Sequence, residues 1–533
     1  MLKHTWIALM LVGASLTSSA QLKVTVGTPY EVIDSPSKYY FSERGQILTL
    51  KVDKKRIILQ KMDAQTLAFK SLKVYEDFPK DYVIEKVTEF KNRYYLFYSL
   101  YENDSELLFS REIDFVKGEF IGKGKKISTV NEKITGSLAV SGFYRFSVAD
   151  KYDFYFSYDS TAMVVQYRVK PDKRNDAKSY DKIGMRIFDK DLNEKWSKNI
   201  EMPYTEKKMD NLDYSVDAAG NVYIVTRVFD DNTTDVKKRG EDDANYHLEI
   251  LKVAAGSGTI STTQVQVKDK FVQKLWLYEA AAKGTMVCAG FYNKGENTGN
   301  ADGIIMFRLG QDGKLTNMNT FEIPLEILNQ NVKGKERRKN ERKEGDDEAE
   351  FSNLVLEHVV VQPDASIVLI GEKQYSRTHT SYSNGRSSSY TTYHAEDILV
   401  TKVDPSGKLA WMKKIPKRQQ SGVGFYGISY RYFHAGNVHL FLFLDNEKNI
   451  TLAKDKVLAP ALHVDGQGGF LTAYGIEDKS GVVVQETILD TRNVNGVEVF
   501  QFSPTRLVSP LPNTLVFEAY KKKKEDVLVK IVF

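Results

Sequence analysis

The chain has 533 residues and is nearly balanced in charge, with 75 lysines and arginines against 70 aspartates and glutamates. This small excess gives no electrostatic reason to expect binding to nucleic acid or to an anionic membrane surface. The single cysteine, Cys288, excludes an intrachain disulfide, so a large core of buried apolar side chains has to hold the fold.

The first twenty residues have the pattern of a secretory signal peptide. Lys3 and His4 precede an apolar run from Trp6 to Leu16, and small residues follow as far as Ala20. This order predicts cleavage after Ala20 and export from the cytoplasm. A membrane anchor is the alternative, but the run is shorter than the ~20 residues that span a bilayer. No cysteine follows the small residues, so the pattern does not predict a lipoprotein.

Short apolar or alternating segments, separated by Gly, Asp and Asn turns, dominate the rest of the chain. Examples are Tyr94 to Tyr101, Val222 to Phe229 and Val438 to Leu444. These segments are rich in β-branched and aromatic residues, which predicts an all-β fold. The best candidate for a helix is the region 322–344, and it is charged rather than amphipathic.

A layout of strand, turn and strand recurs along the chain. It is clearest at Asp397 to Pro416, where an apolar strand leads into the turn Asp404-Pro405-Ser406-Gly407 and then to Trp411. It recurs at Met185 to Pro203 and at Ile304 to Pro324. Weaker copies centre on Asp63, Asp114, Ala255 and Asp478. Each copy follows another strand pair, so two hairpins make a four-stranded unit, and such a unit repeated around an axis predicts a β-propeller.

The stretch from Asp397 to Trp411 resembles the β-propeller repeat of many bacterial extracellular proteins, and it is similar to the blade motif of quinoprotein-type propellers. The copies around Trp196 and Gly313 match this pattern in part. The resemblance implies the fold and no particular activity, because propellers host unrelated functions. No residues match the contacts of a quinone cofactor, so we expect no cofactor and interpret Trp196 and Trp411 as anchors of blade packing.

The two ends of the chain are predicted to share one blade. Strands at Thr514 to Tyr520 and Val527 to Phe533 leave the last blade one strand short, and Leu22 to Val26 can supply that strand. Such pairing removes two exposed sheet edges. Together with the turns near positions 63, 114, 189, 255, 312, 404 and 478, this gives eight blades in a single domain at 21–533. Seven blades, or two smaller β domains, are the alternatives.

Two insertions interrupt the repeats. The segment Lys333 to Glu350 is a basic block followed by an acidic block, which predicts a mobile solvated loop. In the alternative interpretation, its arginines bind an acidic partner: Arg337, Arg338 and Arg342. The segment Tyr375 to Tyr393 is predicted to extend a hairpin beyond its blade and to form a contact surface, because Tyr rings are rigid and Ser hydroxyls adaptable. The candidate binding residues are Tyr375, Arg377, Tyr382, Arg386, Tyr390 and Tyr393.

The sequence contains no local motif for catalysis or metal binding. It has neither a Gly-x-Ser-x-Gly elbow nor a phosphate-binding glycine loop before a helix. His379 and His394 lack the short spacing of zinc ligands, and His434 and His439 are interpreted as turn or surface residues. Three aspartates are interpreted as turn formers: Asp189, Asp312 and Asp404. Catalytic residues stay unassigned and no metal is expected, although paired carboxylates from different blades would leave no local motif.

These observations favour a non-catalytic propeller that binds or scaffolds a protein or glycan of the bacterial cell envelope. The expected location is periplasmic or extracellular, with a soluble mature chain and no nucleic-acid partner. The rival hypothesis is a carbohydrate-active hydrolase or lyase with a site in the central funnel of the ring.

Overall fold

The computed structural model describes residues 23–35, 37–53, 56–140, 146–171, 176–238, 243–267, 269–280, 284–295, 299–345, 348–383, 386–450, 459–499, 502–521 and 524–532. The predicted signal peptide at 1–20 lies outside these residues, as do Leu22 and Phe533. In the described part of the chain, no helix is long and apolar enough to cross a membrane.

The described residues form a succession of four-stranded antiparallel sheets, which we number as blades 1 to 8. Two short strands come first in the chain and belong to blade 8: β1 (Lys23–Val26) and β2 (Tyr30–Glu31). Blade 1 contains β3 (Ser37–Glu43), β4 (Gln46–Asp53), β5 (Arg56–Asp63) and β6 (Phe69–Tyr75). Blade 2 contains β7 (Val83–Phe90), β8 (Arg93–Glu102), β9 (Ser105–Asp114) and, both paired with β9, β10 (Glu119–Phe120) and β11 (Lys125–Val130).

A separate two-stranded sheet follows blade 2, formed by β12 (Ser137–Val140) and β13 (Phe146–Ala149). Blade 3 contains β14 (Asp153–Phe156), β15 (Ala162–Arg168), β16 (Tyr180–Asp189) and β17 (Glu194–Thr205). Blade 4 contains β18 (Met209–Val216), β19 (Val222–Phe229), β20 (Tyr246–Val253) and β21 (Ile260–Val265). Blade 5 contains β22 (Phe271–Glu279), β23 (Met286–Asn293), β24 (Gly303–Leu309) and β25 (Leu315–Glu322).

Two helices, α1 (Leu325–Leu328) and α2 (Gly334–Gly345), connect blade 5 to blade 6. Blade 6 contains β26 (Leu354–Val361), β27 (Ile367–Ser383), β28 (Arg386–Val403) and β29 (Leu409–Ser421). Blade 7 contains β30 (Arg431–Ala435), β31 (Val438–Asp445), β33 (Phe470–Glu477) and β34 (Val483–Asp490), while β32 (His463–Val464) lies between them in the chain and pairs with β29. Blade 8 contains β35 (Leu507–Leu511), β36 (Thr514–Lys521) and β37 (Glu525–Val532) in addition to β1. Short 3-10 turns lie at Asp176–Lys178, Glu447–Asn449, Thr491–Asn493 and Pro504–Arg506.

Buried apolar side chains join each blade to the next and close the ring. Among the described residues, eight clusters of such side chains each draw on two successive blades. The eighth cluster packs Ile47 and Met62 of blade 1 against Val516 and Leu528 of blade 8. Cys288 is buried in the cluster between blades 4 and 5, as expected for a small apolar side chain. Successive sheets joined in this cyclic order form a β-propeller.

The N-terminal strand completes the last blade. In the register, Lys23 lies opposite Val532 and Val26 lies opposite Val529, so β1 is the fourth strand of blade 8. The predictions of eight blades and of a blade shared by the two termini are confirmed. This pairing covers the edge of β37, which would otherwise present unpaired backbone groups to solvent.

The turn and anchor residues have the roles predicted for them. Asp189, Asp312 and Asp404 follow or end the third strands of their blades and accept backbone N–H groups of their own turns. Trp196 donates its Nε1–H to a carbonyl of blade 4 at 3.2 Å, and Trp411 donates to a carbonyl of blade 7 at 2.9 Å. The carboxylates therefore fix the turns, and the indoles tie each blade to the next.

The prediction of a loop at Lys333 to Glu350 is wrong for the helical part of that segment, α2. No side chain of this helix is buried among the described residues. The helix is instead supported by the high helix propensity of its Glu, Lys and Arg residues and by exposed contacts such as Arg337 with Glu341. Asn340 attaches it to the rest of the protein through a 2.9 Å hydrogen bond to Asn329.

The first strand of each blade lies nearest the axis of the ring. Contacts between these strands run from blade to blade, as between β14 and β18, β18 and β22, β22 and β26, and β35 and β3. Bulges interrupt the starts of β7, β18, β22 and β26. A bulge re-aims the side chains next to it, and Asp213 and Glu357 lie at two of these bulges.

Candidate functional site

A cavity of about 540 Å³ opens where the innermost strands of blades 7, 8 and 1 begin. Its wall comes from residues 37–41 at the start of β3, from the segment 423–431 before and into β30, and from the segment 502–506 before β35. Val87 of blade 2 and Asp465 complete it. The cavity therefore lies at one mouth of the central channel, and its size falls in the range of small-ligand sites.

Three cations and one carboxylate line this cavity among the described residues: Lys38, Arg431, Arg506 and Asp465. Arg431 forms no ion pair with a described residue, and its Nε, which is shielded from solvent, lacks a hydrogen-bond partner in the same part of the chain. Burial lowers the pKa of the Arg431 guanidinium. A desolvated cation without a counterion is costly, and a bound anion would supply the missing partner.

A buried ionic cluster lies behind the wall at Lys38. The Lys51 ammonium is 2.6 Å from Glu518 and 3.6 Å from Asp526, and Lys38 is 3.4 Å from Asp526. Tyr30 donates to Glu518 at 2.5 Å. Burial alone would raise the pKa of Glu518, but Lys51 and then Lys38 hold it at about 2. Both lysines thus have carboxylate partners, in contrast to Arg431.

An aromatic rim joins the cavity to the long hairpin of blade 6. Tyr426, which lines the cavity, is 78% exposed, and its neighbour Phe425 packs edge-on against Tyr393 at 5.4 Å. Tyr393 is the first residue of β28 in chain order that pairs with β29, so it lies at the base of the hairpin's extension. The hairpin therefore rises from the same face of the ring as the cavity.

The hairpin extends beyond its blade as a two-stranded arm, residues 374–383 and 386–393. Strands β27 and β28 pair continuously as far as Ser383 opposite Arg386, whereas β26 stops pairing at Lys373. The extension predicted at Tyr375 to Tyr393 is therefore present. Beyond position 393 of β28, both edges of the arm lack a neighbouring strand among the described residues.

The candidate residues of the arm are divided between its two faces. Tyr375, Arg377 and Tyr390 share one face, where Tyr375 stacks on His394 at 4.6 Å and Tyr390 stacks on His379 at 4.9 Å. The Arg377 guanidinium lies 4.9 Å from the Tyr375 ring. Both histidines approach the hydroxyl of Thr392, at 3.2 and 3.1 Å, so they lie on this same face.

The opposite face of the arm carries Tyr382 and Tyr393. Tyr382 is 83% exposed, while Tyr393 is half-buried at the base of the arm. Arg386 pairs with Ser383 at the tip. The six candidates thus form no single cluster. Among the described contacts, Tyr393 links the arm to the cavity, through Phe425, the neighbour of the lining residue Tyr426.

Two channel carboxylates have pKa values near neutrality. Burial raises the pKa of Asp213 and of Glu357 to about 7 in each case. Asp213 accepts the backbone N–H of Leu277 at 2.7 Å, and Glu357 accepts the amide of Gln374 at 3.1 Å. A carboxyl group of this pKa is suited to general acid–base chemistry.

The interpretation of His439 as a turn or surface residue is wrong, because its side chain is fully buried. Its ring stacks on His434 at 4.7 Å, and its Nε2 lies 2.8 Å from Asp478. The ligand atoms of these three residues lie within 4.8 Å of one another, a spacing that suits a metal ion. However, Asp478 already accepts hydrogen bonds from Lys402 at 2.6 Å and Gln362 at 2.8 Å. The cluster therefore acts as a hydrogen-bonded joint between blades 6 and 7.

Sequence reasoning missed the residues of the cavity. Lys38, Arg431 and Arg506 are far apart in the chain and belong to blades 1, 7 and the start of blade 8. Only the closure of the ring brings them together. Neither charge runs nor spacing could have indicated them.

No family model matches the chain, and no curated protein matches its sequence. The chain is similar to a prolyl endopeptidase structure with 10% identity and a TM-score of 0.38, over 94% of this chain and 55% of that one. It thus spans about half the length of that enzyme. It is also similar to a quinohemoprotein alcohol dehydrogenase from Pseudomonas putida, with 11% identity, a TM-score of 0.36 and coverage of 96% and 76%. The WD40 domain of SCAP from fission yeast matches with 6% identity, a TM-score of 0.37 and coverage of 97% of each chain. Likenesses this remote say nothing about activity.

Proposed function

We propose that this propeller is a non-catalytic binding module, and that it holds its ligand on the face that carries the cavity and the arm. The observation that carries the proposal is Arg431, a desolvated guanidinium without an ion pair in the described chain, at the wall of a cavity of about 540 Å³. Burying such a group without a partner is costly, so a desolvated guanidinium that has no ion pair in the described chain favours an external anionic partner.

The arm gives the proposed binding face a second contact surface. Tyr382 and Tyr390 are 83% and 62% exposed and project from a paired, ordered hairpin. Tyr side chains supply large contact area at low entropic cost. We propose that the arm contacts a larger partner, with Tyr375, Arg377 and Tyr390 on one face and Tyr382 on the other. Because the first twenty residues have a signal-peptide pattern, the proposed partner is a protein or glycan of the cell envelope.

The experiment separates the cavity from the arm with two variants. In one, residues 376–393 are replaced by Asn-Gly, so that Tyr375 and His394, which lie directly opposite each other, flank a tight turn. In the other, Arg431 is changed to Met. Each variant and the wild-type protein are immobilised, incubated with envelope extract and with soluble glycans, and the retained molecules are identified.

The proposal predicts that a ligand retained by the wild-type protein is lost from at least one variant, while neither variant unfolds at a lower temperature than the wild-type protein. Loss with the shortened arm assigns the contact to the arm, and loss with R431M assigns it to the cavity. A ligand retained equally by all three proteins binds elsewhere and contradicts the proposal.

The second candidate function is a carbohydrate-active hydrolase or lyase, and the observation that favours it is the pair of channel carboxylates with a pKa of about 7, Asp213 and Glu357. A panel of polysaccharides incubated with the protein tests it through the release of reducing ends or unsaturated sugars. Product that disappears in E357Q or D213N would support the enzyme over the binding module.

A further inference from the structure

The cations of the cavity differ in how far the protein already neutralises them. Lys38, together with Lys51, faces the buried carboxylates of Glu518 and Asp526. Arg506 adds a third cation near this pair of carboxylates. These three cations face two carboxylates, which leaves one positive charge in excess, and two of the cations, Lys38 and Arg506, line the cavity. Arg431 adds another that has no carboxylate of its own among the described residues.

The guanidinium groups fix the kind of anion that suits the cavity. A guanidinium is a planar fork of N–H donors that matches a carboxylate or another planar or tetrahedral oxyanion with two parallel hydrogen bonds. The only carboxylate in the described lining, Asp465, accepts from Ser421 at 3.2 Å and belongs to the neighbouring loop. An acidic ligand would therefore meet the arginines without displacing an internal ion pair at Arg431.

The remaining lining is rich in hydroxyl groups and tyrosine rings. Ser503 and Thr505 hydrogen-bond each other at 2.8 Å and keep further capacity toward the cavity. Tyr426 presents an exposed ring with a hydroxyl at its tip. A ring that is apolar on its face and polar at its edge suits a pyranose, which has the same arrangement. A bare inorganic anion would leave these groups unused.

We infer that the cavity binds an acidic saccharide, that is, a short sugar chain with a carboxylate, an inference that rests on the proposed function. The carboxylate pairs with Arg431 and Arg506, and the sugar rings contact Tyr426 and the hydroxyls of residues 503–505. The described lining carries three cations and one carboxylate, and this small net positive charge limits the ligand to a few acidic groups. This distinguishes the site from a surface for long polyanions.

The test compares two trisaccharides of equal length by isothermal titration calorimetry, one of galacturonate units and one neutral, maltotriose. Trigalacturonate is expected to bind more tightly than maltotriose. R431M is expected to weaken trigalacturonate binding roughly 10- to 100-fold, the effect of losing a charged hydrogen bond. R431K keeps the positive charge but loses the planar set of N–H donors, so its affinity for trigalacturonate is expected to lie between those of the wild-type protein and R431M. R44M is the matched control, since Arg44 is exposed and lies in the turn of β3 and β4, outside the cavity lining.

Each outcome decides the inference. Equal binding of the two trisaccharides, or equal binding by wild-type protein and R431M, would overturn the acidic specificity and leave a binding module in place. Binding of acetate or inorganic phosphate as tightly as trigalacturonate would replace the saccharide by a small anion. Retention of a protein through the arm, with no saccharide bound, would overturn the inference and support the proposed function. Absence of any ligand on this face would contradict both.

Discussion

Replacing Lys51 by Met tests whether the buried ionic cluster holds the closing blade. Lys51 and Glu518 have fully buried side chains, and their charged atoms are 2.6 Å apart. The two residues join blade 1 to blade 8, where the chain ends meet. In K51M, the one cation among the described residues that still pairs with Glu518 is Lys38, at 3.9 Å.

Breaking a buried ion pair by removing one partner costs about 3–5 kcal/mol, because the other charge stays buried without compensation. Lys38 keeps part of that compensation, so we expect K51M to lose about 3 kcal/mol of unfolding free energy at pH 7. The loss should shrink in acid. The wild-type protein loses the stability supplied by Glu518 as the pH falls from about 4.5 through its folded pKa of about 2, whereas in K51M the carboxyl group simply protonates.

The assay is urea unfolding followed by tryptophan fluorescence at neutral and acid pH, with hydrogen exchange of β1 and β37 as the local readout. K530M is the control. Lys530 lies on β37, and in the described part of the chain it bonds the carbonyl of Gln65 at the surface, so its loss should cost about 0.5 kcal/mol or less. The double variant K51M/E518Q removes both charges and should recover part of the loss. A K51M protein within about 1 kcal/mol of wild type at pH 7, or one whose deficit is independent of pH, would refute the reasoning.

Three further changes have defined outcomes. R431M should raise the thermal unfolding midpoint while it weakens ligand binding, because it removes a desolvated cation that has no ion pair among the described residues. A lowered midpoint would mean that the contact of the Arg431 guanidinium with the Phe433 ring, at 5.4 Å, outweighs this cost, and it would refute the prediction. Burial raises the pKa of Asp213 to about 7, so the stability that this group supplies when protonated is lost as the pH rises from about 4 through 7. D213N should therefore unfold at a higher urea concentration than the wild-type protein at pH 8, and at the same concentration at pH 4. A Cβ on Gly290 would lie 2.0 Å from the carbonyl oxygen of Lys274, so G290A should lose about 2–4 kcal/mol of unfolding free energy, measured in urea. Gly345 has open space around it, so the control G345A should stay within about 0.5 kcal/mol of the wild-type protein.

The architecture was predictable because it is encoded locally and many times over. Aspartates such as Asp189 and Asp404 set the turn between the third and fourth strands through their own side chains, and each such turn marks one blade. The apolar runs between turns predict strands by their length and composition alone. The shared blade followed from counting strands at the two termini, since a blade one strand short needs a partner for its edge.

The sequence indicated the helix α2 only as a charged candidate region at 322–344, and it did not indicate the cavity at all, for two different reasons. The helix has no apolar face, so hydrophobic periodicity gives no signal, and only propensity and pairs such as Arg337 with Glu341 support it. The cavity depends on Lys38, Arg431 and Arg506, which meet through ring closure over hundreds of residues. A sequence pattern within one blade cannot show which side chains of another blade will face it.

The polar groups near the axis divide according to whether the fold itself uses them. The first strand of each blade pairs on one side only, so its free N–H groups and those of the nearby turns need acceptors. Asp213 accepts the N–H of Leu277 in the next blade, and Glu279 accepts N–H groups of Tyr158 and Ala218 in two preceding blades.

Channel carboxylates of this kind are explained by the ring itself, and their raised pKa values follow from the burial that this role requires. A raised pKa is therefore weak evidence for catalysis in this protein. Arg431 is the reverse case, because the described chain supplies a desolvated cation and no acceptor for it. A polar group at a cavity that lacks a partner indicates a ligand, whereas a polar group whose bonds are satisfied within the protein indicates a structural role. By this criterion the geometry favours binding at the channel mouth over chemistry within the channel.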